Sequence, residues 1–540
     1  MTDTANLKAL FPKKDDIPAE FSMPLMEQDE YLINGELRKW NGERKDVFSP
    51  VRIKDGDNLI QPRLGSVPNM TEKEALEALD AAVAAYDHGR GQWPTMAVAD
   101  RIKHVQKFVE QMISHRDEIV NLLMWEICKN LDDALKEFDR TVDYIKDTIE
   151  ALKDLDRTSS RFKIEQGIIA QIRRAPLGVV LSMGPFNYPL NETFTTLIPA
   201  LIMGNTVVFK TPKLGCLLFW PLLKAFRDSF PPGVINTVYG SGRTIITPIV
   251  SSGKIDVLAF IGSSKASDSI RKNHPKPHRM RCVLGLDAKN PAIILPDADI
   301  ERAAKECALG ALSFNGQRCT ALKMLWVHSS IVDDFIPKFI AEVEKMQMGM
   351  PWTDGVRITP VAEASKPAHL AELIDDAVSH GAKVINPSGG VSCESLVCPT
   401  VVYPVNDKMR IYTEEQFGPV VPVAVYDEIE EAINYVVMSD YGQQVSLFGK
   451  DPKEMASLID PMVNQVCRVN LNSQCQRGPD VFPFTGRKDS AEGTLSVSDA
   501  LRVFTIRTLV AAKDTEDNKQ MITTILKDDL SSFLTTDFIF

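Results

Sequence analysis

The sequence predicts an α/β fold made of two domains, each built on a mostly parallel β-sheet, with a β-arm that bridges them. Apolar runs of strand length alternate with helix-length stretches through the middle and the second half of the chain. This alternation is typical of βαβ units, whose helices cover both faces of a parallel sheet. The length of 540 residues allows several domains with large cores.

The first third of the chain is predicted to be largely helical. An acid-rich start at 71–74 is followed by apolar residues at helical spacing as far as Leu155, as in amphipathic helices. Polar and apolar residues then alternate on both sides of Gly167 within 161–174. This alternation predicts a β-hairpin with one polar, solvent-facing side. We expect the resulting arm to be able to reach another subunit.

Two blocks of alternating strands and helices follow Pro176, so we expect two α/β domains with a cleft between them. The first block has expected strands at 179–183, 206–209, 234–239 and 257–261, and a helix within 215–230. The second has expected strands near 292–295, 324–327, 420–426 and 465–471, and helices near 300–314 and 332–346. Beyond Lys513 the chain is polar, and we expect this tail to dock on the rest of the protein or to fray.

Composition and charge narrow the class of protein. A hydrophobic content of 44% and a charged content of 25% are ordinary for a globular protein. The formal net charge of −11, without a long Lys or Arg block, argues against nucleic acid as a partner. Neither a run of about 18 apolar residues nor a signal peptide is found, so we expect no membrane association and a cytoplasmic location.

The cysteines and histidines do not form a recognisable metal motif. The nine cysteines are dispersed and lack a CxxC pair, which fits a reducing compartment. His274 and His278 are close together, but the prolines at 275 and 277 prevent a regular helix between them. We therefore expect no metal site.

Three segments hold residues suited to chemistry. Cys319 stands next to Arg318, and a guanidinium favours the nucleophilic thiolate, although a buried inert cysteine is the alternative. Asn187 lies in a proline-bracketed turn directly after the strand at 179–183, where its amide either donates to an oxyanion or caps the turn. The acids Glu414 and Glu415 precede another turn, and their alternative is a solvated loop.

The usual nucleotide-binding fingerprints are missing from the sequence. There is no GxxxxGK[ST] segment, and Gly240-Ser-Gly242-Arg-Thr-Ile lacks the third glycine of GxGxxG. A standard dinucleotide-binding motif is therefore not supported.

Together, in this order, the three segments resemble those of the aldehyde dehydrogenase superfamily, and the resemblance runs from about residue 30 to about residue 510. It implies that Cys319 is the nucleophile, and that Asn187 and the backbone N–H of Cys319 form the oxyanion hole. It also implies oxidation of an aldehyde through a thiohemiacetal and a thioester. The matching segments are 184–189, 209–212, 231–236, 260–263, 317–319 and 415–419.

The resemblance also implies a bound dinucleotide, because this superfamily binds one without a GxGxxG motif. Lys210 and Glu415 are expected to hold its riboses. Gly262, Ser263 and Phe417 lie in the matching segments that contact the cofactor.

Lys213 indicates which dinucleotide is preferred. NAD-preferring relatives often carry an acid at the matching position, which accepts from the adenosine 2′-hydroxyl and repels a 2′-phosphate. A lysine attracts that phosphate instead. NADP is therefore the expected cofactor, and NAD is the less favoured one.

A narrower resemblance concerns the substrate. The segment 474–484, Gln-Cys-Gln-Arg-Gly-Pro-Asp-Val-Phe-Pro-Phe, is similar to the signature of the non-phosphorylating, NADP-dependent glyceraldehyde-3-phosphate dehydrogenases within the superfamily. In those enzymes a basic and phenolic set binds the substrate phosphate, and guanidinium forks suit a doubly charged phosphate. Oxidation of glyceraldehyde 3-phosphate to 3-phosphoglycerate is therefore expected. The residues of this chain that fall on the set are Arg140, Tyr188, Arg318 and Arg477.

One departure from the superfamily pattern affects the last step. Where the superfamily has the glutamate that activates water for thioester hydrolysis, this chain has Gly285. Asp287 points to the same side of an extended chain and is the candidate base, although it lies about 6–7 Å farther along the strand. Glu414, Glu415, another group or no base at all are the alternatives. A coenzyme A-acylating dehydrogenase and a catalytically impaired NADP-binding protein are therefore alternative functions.

The resemblance implies a domain plan. Residues 1–155 and 175–285 form a Rossmann-like NADP-binding domain, and 286–490 form the catalytic domain. Residues 156–174 and 491–512 form the bridging arm, through which the superfamily implies a homodimer or a homotetramer. Residues 513–540 form the tail.

Overall fold

The computed structural model describes residues 4–536 and residue 539 of the chain. Residues 1–3, at the start of the expected NADP-binding domain, and residues 537, 538 and 540, at the end of the expected tail, lie outside the described residues. Within the described part, the strands form two large sheets, a three-stranded arm and several small sheets. The prediction of an α/β fold is confirmed.

The first large sheet consists of short apolar strands that are buried on both faces, as expected for a parallel sheet covered by helices. In spatial order the strands are Ile235–Val238, Thr206–Lys210, Val179–Met183, Val257–Ile261, Arg281–Gly285 and Ala491–Glu492. The first five are parallel and the last is antiparallel. The helices between them are Asn191–Ile202, Trp220–Ser229, Gly242–Ser251 and Ser264–Lys272.

The second large sheet is also mostly parallel. In spatial order its strands are Lys383–Val384, Thr400–Tyr403, Val420–Tyr426, Leu322–His328, Asn290–Ile294, Gln444–Phe448 and Arg468–Leu471. Only the short edge strand Lys383–Val384 is antiparallel among the described pairings of this sheet. The helices of this domain are Ile300–Leu312, Val332–Glu344, Lys366–Ser379, Ile429–Met438 and Pro452–Met462.

The strand Leu322–His328 shows how the second sheet is covered on both sides. Met324 and Trp326 pack in one hydrophobic core, whereas Leu325 and Val327 pack in another. Successive side chains of a strand point to opposite faces, so each face of the sheet has its own core. The first sheet is enclosed by a larger core that also includes the helices before it.

The N-terminal region is largely helical, as predicted, after a set of short strands. Its main helices are Glu72–Tyr86, Val98–Ile113, Arg116–Ile127 and Leu131–Ser159. The helix Glu72–Tyr86 begins with a capping box in which Thr71 and Glu74 satisfy each other's backbone N–H groups. The strands before it are Met26–Glu27, Glu30–Ile33, Glu36–Lys39, Arg44–Phe48, Ile53–Asp55, Asn58–Ile60 and Arg63–Pro68.

The arm is an antiparallel sheet of Phe162–Glu165, Ile168–Pro176 and Thr505–Lys513. The predicted hairpin around Gly167 is confirmed, with Gln166 and Gly167 both at positive φ in the turn. The second segment of the arm differs from the expected 491–512. Ala491–Glu492 pairs with the first sheet and Val497–Val503 is a helix. The sequence did not predict this division, because a two-residue strand leaves no periodic signal.

The tail after Lys513 begins with the helix Glu516–Lys527 and then docks on the rest of the protein. Leu534 is buried, and the side-chain amide of Gln171 donates to the carbonyl of Thr535 at 2.8 Å. In the described part of the chain, no helix combines the length and the apolarity that crossing a membrane requires.

The loop that precedes Cys319 has an unusual backbone. Phe314, Asn315 and Gly316 follow the helix Ile300–Leu312 and all have positive φ, at 48°, 58° and 68°. A Cβ at Gly316 would lie 2.6 Å from the carbonyl oxygen of Gly418 and 2.8 Å from that of Ala311. Glycine is therefore required both by the φ angle and by the close approach of two backbone carbonyls.

We expect Gly316→Ala to lower the melting temperature of the full chain by several degrees. The substitution adds about 1–3 kcal/mol of backbone strain and forces two carbonyls apart. Gly242→Ala is the matched control, because no atom lies within 4 Å of a Cβ at that position. Equal melting temperatures for the two variants would contradict this assignment.

Candidate active site

A cavity of about 880 Å³ lies between the two large sheets. It opens at the carboxyl ends of the first-sheet strands, where parallel α/β folds place their ligands. All but one of the residues predicted from the sequence line it, and the exception, Lys210, lines two adjoining grooves. Those that line the cavity are Arg140, Asn187, Tyr188, Lys213, Gly262, Ser263, Asp287, Arg318, Cys319, Glu415, Phe417 and Arg477.

Cys319 is held in this cavity through its backbone carbonyl. The side-chain amide of Asn290 and the ammonium of Lys323 each donate to that carbonyl at 2.8 Å. Both donors belong to strands of the second sheet, Asn290–Ile294 and Leu322–His328. The backbone of Cys319 is therefore held in place by two strands of the second sheet.

The protonation of Cys319 depends on the charges around it. Burial raises the pKa of the thiol and Glu192 raises it further, whereas Lys323 and Arg477 oppose this rise. Arg318, the sequence neighbour expected to favour the thiolate, instead donates from Nη2 to the carbonyl of Gly310 at 2.8 Å. Lys323 and Arg477 thus have the effect that the sequence assigned to Arg318, and the pKa of the thiol is nevertheless raised overall.

The asparagine turn, 184–189, reaches the cysteine loop directly. The Nδ2 atom of Asn187 donates to the carbonyl of Gln317 at 2.9 Å. The side-chain amide nitrogen carries two N–H groups and this bond uses one of them, while Asn187 and Cys319 line the same cavity. This geometry suits an oxyanion donor, and it also ties the turn to the loop as a cap does.

The turn is fixed by a fully buried ion pair that sequence reasoning missed. The ammonium of Lys129 pairs with Glu137 and donates to the carbonyl of Asn187 at 2.9 Å. The same ammonium lies 3.4 Å from the ring centroid of Tyr188. The second oxygen of Glu137 accepts from the backbone N–H of Leu190 at 3.0 Å. Nothing in the sequence separates Lys129 and Glu137 from surface charges of an amphipathic helix.

Asp287, the expected base, is engaged elsewhere. Its Oδ2 accepts from the backbone N–H and from the hydroxyl of Ser264, both at 2.7 Å. The carboxylate therefore sits at the N-terminus of the helix Ser264–Lys272, which favours negative charge. These bonds compete with proton abstraction from a water near Cys319. A Cβ at Gly285 would lie 3.4 Å from the Ile261 side chain, which is an ordinary contact distance. A larger residue can therefore replace Gly285 without a clash at its Cβ.

Glu414 and Glu415, which precede the strand Val420–Tyr426, have different environments. The Oε1 atom of Glu415 pairs with Lys323 at 2.6 Å and accepts from the N–H of Ala288 at 3.2 Å. Burial raises the pKa of Glu415. Glu414 is more exposed and pairs with Arg410 at 3.1 Å. The two alternatives for the base are therefore also held by cationic partners.

The arginines expected to bind phosphate line one wall of the cavity, but two of them have carboxylate partners. Arg140 binds Asp480 through two hydrogen bonds of 2.7 and 2.6 Å. Arg477 pairs with Glu192 and, through Nε, with Asp480 at 3.2 Å. The buried Nε of Arg318, by contrast, has no hydrogen-bond partner among the described residues. Glu192 was missed because a counterion that is distant in the sequence leaves no local signal. Asp480 lies in the segment 474–484, but its contact with the distant Arg140 could not be predicted from the sequence.

Two grooves of about 410 and 260 Å³ adjoin the cavity. Lys210 and Lys213 line both, Arg243 lines the larger and Lys45 the smaller. Among the described residues, no Asp or Glu lines either groove. Burial is the main reason why the pKa of Lys210 is lowered to about 8, and Lys45 lowers it further. The donor set fits a phosphorylated ribose.

Arg243 and Lys45 are additions to the predicted cofactor residues. Arg243 follows the Gly240-Ser-Gly242 segment that failed to match the standard fingerprint. A basic residue directly after an incomplete glycine motif could have been used to predict Arg243 as a cofactor residue. Lys45 comes from a strand far away in sequence, Arg44–Phe48, and had no signal at all.

A thiol and the asparagine turn in the cleft between two parallel-sheet domains, next to a cationic groove, are typical of enzymes that use a cysteine nucleophile and a phosphorylated cofactor. The chain belongs to the aldehyde dehydrogenase family, whose family model matches residues 53–510. The narrower resemblance is also supported by individual relatives.

The chain is 32% identical over 489 residues to an NADP-dependent glyceraldehyde-3-phosphate dehydrogenase of Streptococcus equinus. The aligned region covers 89% of this chain and 98% of that protein. The chain is 30% identical over 485 residues to the enzyme of the same name from Pisum sativum, covering 88% and 95%. The crystal structure of the Bacillus halodurans C-125 enzyme, complexed with NADP, matches with a TM-score of 0.82 at 31% identity. That match covers 91% of this chain and 100% of that one.

We expect Glu192→Gln to make Cys319 more reactive at pH 8. Because the Glu192 carboxylate raises the pKa of the thiol, its removal lowers that pKa and increases the thiolate fraction, so we expect alkylation to be several times faster. The measurement is the rate of alkylation by iodoacetamide, assigned to Cys319 by peptide mass spectrometry.

Glu363→Gln is the matched control, because Glu363 lines the same cavity but is not among the charges acting on the thiol. The interpretation fails if alkylation is unchanged in Glu192→Gln or accelerates equally in both variants.

Proposed function

We propose that the protein catalyses NADP-dependent oxidation of a short-chain phosphorylated aldehyde, glyceraldehyde 3-phosphate, to the acid without phosphorylation. The observation that carries the proposal is the single cavity that joins Cys319, the asparagine turn and three arginines next to a groove without acids. The family indicates an oxidoreductase. The named relatives act on this substrate with NADP, which supports the proposed substrate and the proposed cofactor.

The first chemical step uses the Cys319 thiolate. The sulfur adds to the aldehyde carbon and forms a thiohemiacetal, while Lys323 and Arg477 favour the thiolate. The free N–H of Asn187 and the backbone N–H of Cys319 donate to the oxygen that becomes negative. Each such donor contributes about 2.7–4 kcal/mol to the barrier reduction. After oxidation a thioester remains on Cys319.

Bound NADP would supply the hydride acceptor for this oxidation. Lys210, Lys213 and Arg243 would hold the 2′-phosphate end in the cationic groove. Glu415, fixed by Lys323, would hold the other ribose, with Gly262, Ser263 and Phe417 lining the cavity beside it. The chain contributes binding and orientation.

Hydrolysis of the thioester is the slow step in this proposal. The acids near Cys319 each have a partner: Asp287 binds Ser264, Glu415 binds Lys323 and Glu192 binds Arg477. Asp287 remains the proposed base, and it must exchange a Ser264 bond for water before it acts. Gly285 favours one alternative, transfer of the acyl group to coenzyme A, whose thiol needs less help from a base than water does.

We further propose a cytoplasmic homodimer or homotetramer. The described cysteines are all free thiols, as a reducing compartment allows. The arm exposes large apolar side chains, including Ile164 at 61% and Leu509 at 57%. Exposed apolar strands on an arm are typical of a surface covered by another subunit.

The function is tested by stopped-flow NADPH formation from glyceraldehyde 3-phosphate and NADP, without inorganic phosphate or coenzyme A. We expect a burst of about one equivalent per site followed by slower sustained turnover. We also expect Gly285→Glu to accelerate the steady state with little effect on the burst, with Gly285→Ala as the control for the lost glycine. Absence of NADPH formation would contradict the proposed function, and turnover that requires added coenzyme A would favour the alternative.

Lys213→Glu is expected to reduce the preference for NADP over NAD, measured as the ratio of kcat/KM values, by about tenfold or more. The carboxylate repels a 2′-phosphate and accepts from a 2′-hydroxyl. Lys272→Glu is the matched control, since Lys272 ends an exposed helix and does not line the grooves. An unchanged ratio in Lys213→Glu would refute the role given to this residue.

Arg318→Gln is expected to raise KM for glyceraldehyde 3-phosphate about tenfold, with a much smaller change for glyceraldehyde. Arg318 is the most informative of the three arginines, because its Nε lacks a partner, whereas loss of Arg477 leaves Glu192 buried without a counterion. Equal increases in KM for the two aldehydes would contradict the phosphate assignment.

A further inference from the structure

A second cavity, outside the active site, lies beside the arm and has a volume of about 620 Å³. It forms between the C-terminal end of the helix Leu131–Ser159 and the strands of the arm. We call it the basic cavity, because its charged lining is entirely cationic within the described residues. That lining consists of Arg157, Arg161, Lys163, Arg173, Arg174 and Arg507.

Most of this positive charge has no counterion. Arg173 pairs with Asp156, and Arg157 pairs with Asp154 at 2.9 Å. In the part of the chain that the structure describes, no ion pair involves any of the other four cations, and no Asp or Glu lines the cavity. The nearby helix C-terminus supplies only about half a negative charge. The four unpaired cations are Arg161, Lys163, Arg174 and Arg507.

The arm brings two of these cations together against their mutual repulsion. Arg174 and Arg507 are direct partners across the antiparallel pair of Ile168–Pro176 and Thr505–Lys513. Like charges directly opposite each other destabilise such a pair. Burial lowers the pKa of Arg174, and Arg502 and Arg507 lower it further. The arrangement costs stability in the free protein and is relieved by an anion.

We propose that the basic cavity binds a small free polyanion carrying two or more phosphate groups. The volume is that of a small-molecule site rather than of a flat contact surface. Four uncompensated cations, three of them planar guanidinium groups, match the charge and the forked geometry of a polyphosphate. The ligand would lie between the arm and the C-terminal end of the helix Leu131–Ser159. This site is independent of the function proposed for Cys319.

The test measures binding of inorganic tripolyphosphate to the full chain by calorimetry and by thermal unfolding, at constant ionic strength and without NADP. We expect saturable binding and a rise in melting temperature. In the double variant Arg174→Gln/Arg507→Gln we expect binding at least about tenfold weaker, because two charge-assisted contacts are lost. The unliganded double variant is expected to melt no lower than the wild type, because the cross-strand repulsion is removed.

The cationic grooves beside the active site supply the matched control. Lys213→Gln/Arg243→Gln removes two of their charges, and we expect this variant to retain tripolyphosphate binding at the basic cavity. Loss of binding in this variant but not in Arg174→Gln/Arg507→Gln would overturn the proposal, as would equal binding by all three proteins. Sedimentation measures the subunit assembly and so tests whether a second copy of the chain, rather than a polyphosphate, covers the basic cavity. If Arg174→Gln/Arg507→Gln alters the subunit assembly but not tripolyphosphate binding, a second copy covers the cavity and the proposal is wrong.

Discussion

The active site depends on the buried ion pair of Lys129 and Glu137. Neither side chain is exposed, and together they contact the backbone at the carbonyl of Asn187 and at the N–H of Leu190. The ammonium also lies 4.5 Å from the ring centroid of Phe314, in the loop that leads to Cys319. Removal of one partner from such a pair costs about 3–5 kcal/mol, because the other charge stays buried. The pair therefore fixes the turn and the cysteine loop relative to each other.

Charge is balanced at Lys323, Arg140 and Arg477 in the reaction cavity and unbalanced in the grooves around Lys210 and in the basic cavity. Lys323 is paired with Glu415, and Arg140 and Arg477 share Asp480. The grooves around Lys210 and the basic cavity, in contrast, have cationic linings without acids among the described residues. Unpaired cations in concave places are costly unless an anion fills them. We therefore expect bound anions to compensate the charge of the grooves and of the basic cavity, whereas two of the arginines proposed to bind the substrate phosphate already have carboxylate partners.

Much of the fold was predictable from the sequence because buried parallel strands are continuous apolar runs. The strands Val179–Met183, Val257–Ile261 and Val420–Tyr426 have the predicted bounds. The site residues were predictable as a set, since motif segments at strand ends meet at one edge of a sheet. Their partners were not: Asp287 meets Ser264, and Arg477 meets Glu192, only after folding. The sequence neighbour Arg318 was therefore credited with an effect on the thiol that Lys323 and Arg477 have.

The covalent role of Cys319 is tested most directly by rapid acid quenching of the enzyme after mixing with glyceraldehyde 3-phosphate and NADP, followed by peptide mass spectrometry. A 3-phosphoglyceroyl adduct on the Cys319 peptide is expected, formed at the rate of the NADPH burst and lost at the rate of steady turnover. NADPH formation without any adduct at Cys319, or an adduct on another cysteine, would contradict the proposed chemistry.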